Sequence, residues 1–265
     1  MKQHIAVLGA GNLGLSLTTG LINSNEFSPY QFSLSRRRVD KLLGFKNKGF
    51  FTTNNNIYAV KRADLIILSI LPQKMNSVLN EIKNTITKDQ LIVSLVSGVS
   101  IDEIINVLGT KNPIIRAMPN TAISIGQSMT CIATHSSWKN HLPEVEKLFN
   151  LVGETVVINE EKMTSATALC ACGIAFFLRA IRAASQGGNE IDFHANEALK
   201  MAAQTAKGAA GLVLANGTHP EHEIDKVTSP KGCTIAGLNE MEHNGFSSAF
   251  IKGITVSANK AKELY

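Results

Sequence analysis

The residues best placed to do chemistry lie near the start of the chain. The segment I-A-V-L-G-A-G-N-L-G-L from Ile5 is an apolar run that stops at Gly9. Gly11 and Gly14 follow, and a helical apolar pattern opens behind them. A G-x-G-x-x-G loop between a strand and a helix is an arrangement that cradles a pyrophosphate. Gly9 allows the tight turn, and Gly11 has no Cβ to keep a phosphate off the backbone. Gly14 lets helix and strand pack closely. The first N–H groups of the helix have no intrahelical acceptor and face the anion.

A second cluster selects among dinucleotides. The apolar run Q-F-S-L from Gln31 leads into Ser35-Arg36-Arg37-Arg38, and the first acid is Asp40. A cofactor with free ribose hydroxyls is usually held at this point by Asp or Glu. A hydroxyl and guanidinium groups suit a 2′-phosphate instead. The expectation is NADP, with NADPH preferred over NADH, and Ser35 and Arg36 as its contacts. Three arginines cannot all reach one phosphate, so at least one is expected on a solvated helix start.

The other chemistry-bearing residues give weaker signals. Cys131, Cys170, Cys172 and Cys233 are too few and too scattered for a disulfide framework. On a helix, Cys170 and Cys172 diverge by roughly 200°. No second Cys/His cluster has zinc-ligand spacing, so no metal is expected and the thiols read as buried and structural. His219 and His222 flank Pro220 without a third ligand and read as a surface turn.

The elements that must position these residues follow from hydrophobic patterning. Strands are expected at 4–8, 31–34, 64–70, 91–96, 113–117, 128–133 and 154–158. Helices are expected at 12–24, 37–48, 75–84, 101–108 and 140–151. The runs L-I-I-L-S-I-L from Leu65 and L-I-V-S-L-V from Leu91 are apolar without alternation, as in parallel strands covered on both faces. After about residue 160 only helical patterns remain, at 161–186, 196–216, 232–243 and 247–264. The fold class is therefore α/β: an N-terminal doubly wound sheet, residues 1–160, and a C-terminal all-α domain, residues 161–265. Helices this apolar in so short a piece need a partner, and a homodimer is the simplest.

The 265 residues are 44% hydrophobic and 18% charged, an ordinary globular composition. Net charge is +5 and aromatics are 6%, with no basic stretch interleaved with them, so nucleic-acid binding is not expected. No apolar stretch is expected to reach the ~18 residues of a membrane span, and M-K-Q-H-I leaves no room for a signal peptide. The expected location is cytoplasmic.

Five segments carry a more specific signal. They are A-D-L-I-I-L-S-I-L-P-Q from Ala63, S-G-V-S-I from Ser97, I-R-A-M-P-N-T from Ile115 and H-P at His219. The fifth is V-T-S-P-K-G-C-T-I-A-G-L from Val227, followed by M-E-H-N-G-F from Met241. Along nearly its whole length the chain resembles the pyrroline-5-carboxylate reductases. The resemblance implies a Rossmann domain, a helical domain that intertwines in a homodimer, and often a ring of dimers. It implies NADPH-dependent reduction of a cyclic imino acid, 1-pyrroline-5-carboxylate, to L-proline by hydride transfer to C=N, the last step of proline synthesis.

The resemblance also implies roles for matching positions. Leu8, Gly9, Ala10, Gly11, Asn12, Leu13 and Gly14 would hold the pyrophosphate. Asn56 would join Ser35 and Arg36 at the 2′-phosphate. Ser69, Ile70, Leu71 and Pro72, then Ser97 and Gly98, would line the way to the nicotinamide, near Met118, Asn120 and Thr121. Ser229, Gly232, Cys233 and Thr234 would take the substrate carboxylate before a helix, whose positive end suits an anion. Thr234 is the candidate catalytic hydroxyl beside the imine nitrogen, or else caps the helix from Ile235.

The chain departs from the family in three places. S-P-K-G-C-T stands for the usual S-P-G-G-T-T, which puts Lys231 where a left-handed backbone would be strained. C-A-C-G-I from Cys170 stands for S-G-S-G-P, and Leu71 replaces a common lysine. Two other functions compete with this one. Hydroxyacid dehydrogenases of similar plan need a general acid–base lysine in the first long helix of the second domain, but residues 164–181 contain no Lys, Asp, Glu or His. The other is an NADP-binding protein of this fold with altered substrate or no turnover.

Overall fold

The structure is a computed structural model, and it describes residues 3–109 and 112–263. Eight strands form one sheet: β1 (Ile5–Leu8), β2 (Phe32–Ser35), β3 (Phe51–Thr53), β4 (Leu65–Leu68), β5 (Leu91–Ser94), β6 (Ile114–Met118), β7 (Ser128–Thr134) and β8 (Gly153–Val157). Their order is β3-β2-β1-β4-β5-β6-β7-β8. The helices between them are α1 (Asn12–Asn23), α2 (Leu43–Lys46), α3 (Asn56–Val60), α4 (Met75–Ile82), α5 (Ile101–Leu108) and α6 (Leu142–Asn150).

The long apolar runs sort to two faces. Val7, Leu34, Ile67 and Val93 enter one core, and Ala6, Leu8, Ile66, Leu68 and Ile92 the other. Successive strand residues point to opposite faces, so a strand covered on both sides is apolar along most of its length. Each large side chain buried this way contributes about 1.5–3 kcal/mol.

The expected parallel sheet holds through β6, and the last two strands run against the first six. β7 runs antiparallel to β6, while β8 returns parallel to β7. Residues 119–127 are too few for a crossover helix, so the chain must turn back. Two elements go beyond the sequence expectation. β3 is a three-residue edge strand pairing with β2, and α3 begins at Asn55, whose side chain accepts the N–H of Tyr58. The polar run T-T-N-N-N hid both. The expected helix at 37–48 is a 3₁₀ turn, Val39–Leu42, continued by α2.

After β8 come α7 (Met163–Ala166), a π-helical segment Thr167–Cys172, α8 (Gly173–Glu190), α9 (Ala195–Asn216), α10 (Pro220–Lys226), α11 (Cys233–His243) and α12 (Phe246–Ala261). The expected last helix ends at residue 264, which lies outside the described residues. The chain divides into two compact units: residues up to Cys172 with the segment from Ser257, and Gly173–Val256.

Within the helical unit, α8 and α9 pack so closely at Gly188 that a Cβ there would lie 2.8 Å from that of Ala198. Phe176, Phe177 and Phe246 gather around Phe250 with ring centroids 5.3–6.2 Å apart. The turn expected at His219–His222 is corrected: His219 caps α10 and Pro220 opens it, a position where proline lacks only an N–H that would be unpaired anyway.

Two further expectations are corrected. The helical run Glu160–Glu190 has a window of mean hydropathy 1.6, long and apolar enough by length and composition to cross a membrane. Its alanines, leucines and phenylalanines outweigh the few charges. The thiols are not uniformly buried either: Cys131 is buried, Cys170 and Cys172 are half-buried, and Cys233 is exposed at the start of α11.

Candidate active site

The glycine loop turns at the carboxyl end of β1. Gly9 adopts φ +86°, and a Cβ there would collide with the Ser69 carbonyl oxygen and the Ile70 side chain. The Gly9 and Ala10 N–H groups both donate to the Ser35 carbonyl, at 3.0 and 2.8 Å, which joins the loop to the end of β2. Gly14 sits under the loop, where a Cβ would come 2.9 Å from Val7 Cγ1. Gly11 differs: nothing lies nearer than 3.8 Å to its missing Cβ, so the space beside it stays open. Gly11 is also the N-cap of α1 and supplies no side-chain cap.

That open space belongs to a cleft of about 470 Å³ at the carboxyl ends of β1, β2 and β4. Gly9, Gly11, Ser35, Arg36, Asn56, Ser69, Ile70 and Leu71 line it. Leu8 and Ala10 are buried in the core, Leu13 packs against it, and Pro72 opens the turn that follows the cleft. Asn12 is exposed as the first residue of α1. An open glycine backbone, an uncapped helix start and a rim of cations fit a phosphorylated dinucleotide.

The rim is wired together. Ser35 Oγ donates to Asn56 Oδ1 at 2.6 Å. Asn56 Nδ2 donates to Glu81 Oε2 at 2.8 Å, and its backbone N–H to Glu81 Oε1 at 3.3 Å. Arg36 Nη1 donates to the Ala10 carbonyl at 3.3 Å, which lays the guanidinium along the loop. Arg38 lies 3.7 Å from Asp40 with both side chains mostly exposed. Arg37, Arg38, Asn54, Lys74, Ser77 and Glu81 also line the cleft. Ser77 and Glu81 share a face of α4 by i,i+4 spacing, but nothing in the sequence shows that Glu81 meets Asn56 of α3.

Further along the sheet edge, Gly98 has φ +79° and Ser97 Oγ lies 3.8 Å from Met118 Sδ. The Asn120 side chain is hydrogen-bonded at both ends within the protein. Its Nδ2 donates to the Cys170 carbonyl at 3.2 Å, and its Oδ1 accepts the Ala122 N–H at 3.0 Å. It organises a turn and does not line the cleft. Behind it, the Cys131 and Cys170 thiols are 3.7 Å apart. The hydrogen bond to Cys170, then burial, keeps Cys131 protonated, and receiving that hydrogen bond lowers Cys170 to about 7.

In the helical unit, the loop before α11 is built from its own residues. The Gly232 N–H donates to the Ser229 carbonyl at 2.9 Å. Gly232 is the N-cap of α11 and brings no side-chain cap. Thr234 therefore lies inside the first turn, and the capping role weighed for it belongs to Gly232. Lys231 has φ +59°, so a lysine occupies a left-handed conformation that glycine takes freely. Cys233 and Ser229 are exposed, and Thr234 is half-buried. Among the described residues no group of three His, Cys, Asp or Glu could hold a metal ion.

Sheet order, glycine loop and cation-rimmed cleft define a dinucleotide-binding oxidoreductase of Rossmann type. Residues 160–264 match the family model described as pyrroline-5-carboxylate reductase dimerisation, and residues 4–98 match one described as NADP oxidoreductase, coenzyme F420-dependent. Pyrroline-5-carboxylate reductase 1 of Dictyostelium discoideum is 50% identical over 98% of this chain, and the chain spans half of that protein's length. Pyrroline-5-carboxylate reductase 2 of the same organism is 47% identical over 99% of this chain and 93% of its own length. The crystal structure of Plasmodium falciparum pyrroline carboxylate reductase with NADP bound shares the fold. Its TM-score is 0.90 at 24% identity, with 100% of this chain and 99% of that one covered. The chain belongs to the pyrroline-5-carboxylate reductase family. The apolar run 160–190 falls within its dimerisation region.

Proposed function

We propose that the protein reduces 1-pyrroline-5-carboxylate to L-proline with NADPH. Membership of the family along the full chain carries this reading, and the cleft supports it with open backbone at Gly11 and cations in its lining. The nicotinamide, when bound, supplies the reducing equivalent to the imine carbon. The chain's own residues bind and orient. Gly9, Gly11 and the first turn of α1 hold the pyrophosphate. Ser35, Arg36 and Asn56 lie near the adenosine 2′-phosphate, with Arg37 or Arg38 beside them. Ser69 to Pro72 and Ser97 to Met118 shape the nicotinamide side.

The substrate carboxylate meets the N–H groups of Gly232, Cys233 and Thr234 at the positive end of α11, with the Ser229 hydroxyl beside them. The Thr234 hydroxyl faces the imine nitrogen and orients it. An imine is already electrophilic once protonated, so orientation in a dry pocket suffices. Residues 1–160 form the cofactor domain and 161–265 the dimerisation and substrate domain of a cytoplasmic homodimer. Dimers assemble into a ring, and neither nucleic acid nor membrane is a partner.

Loss of NADPH absorbance on adding 1-pyrroline-5-carboxylate tests the function. Tight NADPH binding without turnover of this or any related cyclic imine would overturn it.

A further inference from the structure

We propose that Glu81 sets the preference between the two nicotinamide cofactors by fixing, through Asn56, the direction of the Ser35 hydroxyl proton. The proposal rests on the reductase function above and deepens its cofactor site.

A carboxylate is an acceptor only, while a carboxamide has one donor end and one acceptor end. Glu81 takes both the backbone N–H and the Nδ2 of Asn56. The carboxamide nitrogen must therefore face Glu81, and the carboxamide oxygen must face the other way. Reversing Asn56 would set its oxygen against the carboxylate, acceptor against acceptor. The oxygen meets Ser35 Oγ at 2.6 Å, and an acceptor at that distance takes the one proton the serine has. What Ser35 then turns toward the cleft is lone pairs.

Lone pairs suit a ribose 2′-hydroxyl, which donates. They repel a 2′-phosphate, which needs donors. Glu81 adds a negative charge to the wall of the same cleft. Arg36, Arg37, Arg38 and Lys74 pull the other way. Two opposed devices thus share one site: the cations favour the phosphorylated cofactor, and the Glu81–Asn56–Ser35 relay favours the free ribose. Preference for NADPH is narrower than the arginines alone would make it. Glu81 is a positioning residue, acting through its neighbours.

Glutamine at position 81 removes the constraint. Its nitrogen can donate to Asn56 Oδ1, the Asn56 nitrogen can turn to Ser35, and the serine proton is released to the cleft. The test is kcat/KM for NADPH and for NADH in the wild type, Glu81→Gln, Glu81→Asp, Ser35→Ala and the Ser35→Ala/Glu81→Gln double variant. The expected result is a rise of about fivefold in the NADPH:NADH ratio for Glu81→Gln, carried mainly by KM, since one charged hydrogen bond is redirected. Glu81→Asp keeps the wild-type ratio, and most of the Glu81→Gln shift is lost without Ser35, leaving only the part due to the charge. A ratio within twofold of wild type in folded Glu81→Gln, or an equal shift in the Ser35→Ala background, would overturn the relay. If no imine is turned over at all, the reductase function fails by itself. The relay is then read from fluorescence titration of NADP⁺ against NAD⁺, with the same outcomes.

Discussion

Glu160 holds Arg116 and the start of α5 with one oxygen. Its Oε1 lies 3.1 Å from Arg116 Nη1 and accepts the Ile101 N–H at 2.7 Å. The arginine side chain is 7% exposed and the carboxylate 21%. The second oxygen lies 3.6 Å from His135 Nε2. One side chain at the exit from β8 thus ties β6 to α5. Arg116 Nε has no partner among the described residues, so this arginine depends heavily on Glu160.

Glu160→Ala should therefore destabilise the fold by about 3–5 kcal/mol, because it strands a buried cation. Urea unfolding of both proteins measures this. A midpoint unchanged from wild type would show that solvent reaches Arg116.

Two glycines of one loop should behave oppositely. Gly9→Ala forces a left-handed alanine into the Ser69 carbonyl, and the expected outcome is loss of soluble protein. Gly11→Ala meets no neighbour closer than 3.8 Å, so it should melt like wild type. Its methyl group enters the cleft, so NADPH affinity should fall about tenfold or more. Thermal melts with and without NADPH separate the two effects.

Lys231→Gly should relieve the strain at φ +59°. The relief is about 1–2 kcal/mol, and the greater freedom of glycine in the unfolded chain offsets part of it, which leaves a gain below about 1 kcal/mol. A small rise in Tm is expected, and a fall would mean that the lysine side chain makes stabilising contacts in the assembled protein.

Cys170 should be the pH-sensitive thiol. Its thiolate accepts from Cys131, which lowers it to about 7. Reactivity follows the thiolate, so alkylation should rise with pH and reach half its maximum near 7. Cys131→Ala removes the donor and should move that midpoint upward. Iodoacetamide labelling followed by mass spectrometry reads both.

Thr234→Ala should lower kcat by about 10²-fold with NADPH affinity unchanged, if the hydroxyl serves the reacting nitrogen. Thr234→Ser should restore most of the rate. Equal kcat in Thr234→Ala and wild type would leave the threonine with a packing role only.

Much of this molecule was legible before its structure. The glycine loop, both cores and the long helices follow from patterns that admit few alternatives, because a strand buried on two faces can spare few polar positions. β3 and α3 were not legible, since three edge residues and a polar cap resemble a loop. Nor was the reversal at β7, which depends on the length of a connection and not on its composition. The cleft was half legible. Ser35 and Arg36 announce themselves by type, at the end of a strand. Glu81 does not, because it reaches Asn56 across packed elements, and sequence separation hides such meetings.

The position of β1 has a consequence for synthesis. This first strand lies between β2 and β4 in the sheet, and the turn that follows it closes against Ser69. A chain emerging from the ribosome amino end first can pair β1 with β2 but leaves its other edge open until β4 has been made. The nucleotide pocket cannot exist on any nascent chain shorter than that. An arrest series that lengthens the nascent chain stepwise should gain dye or cofactor binding in one step, after β4 has cleared the exit tunnel.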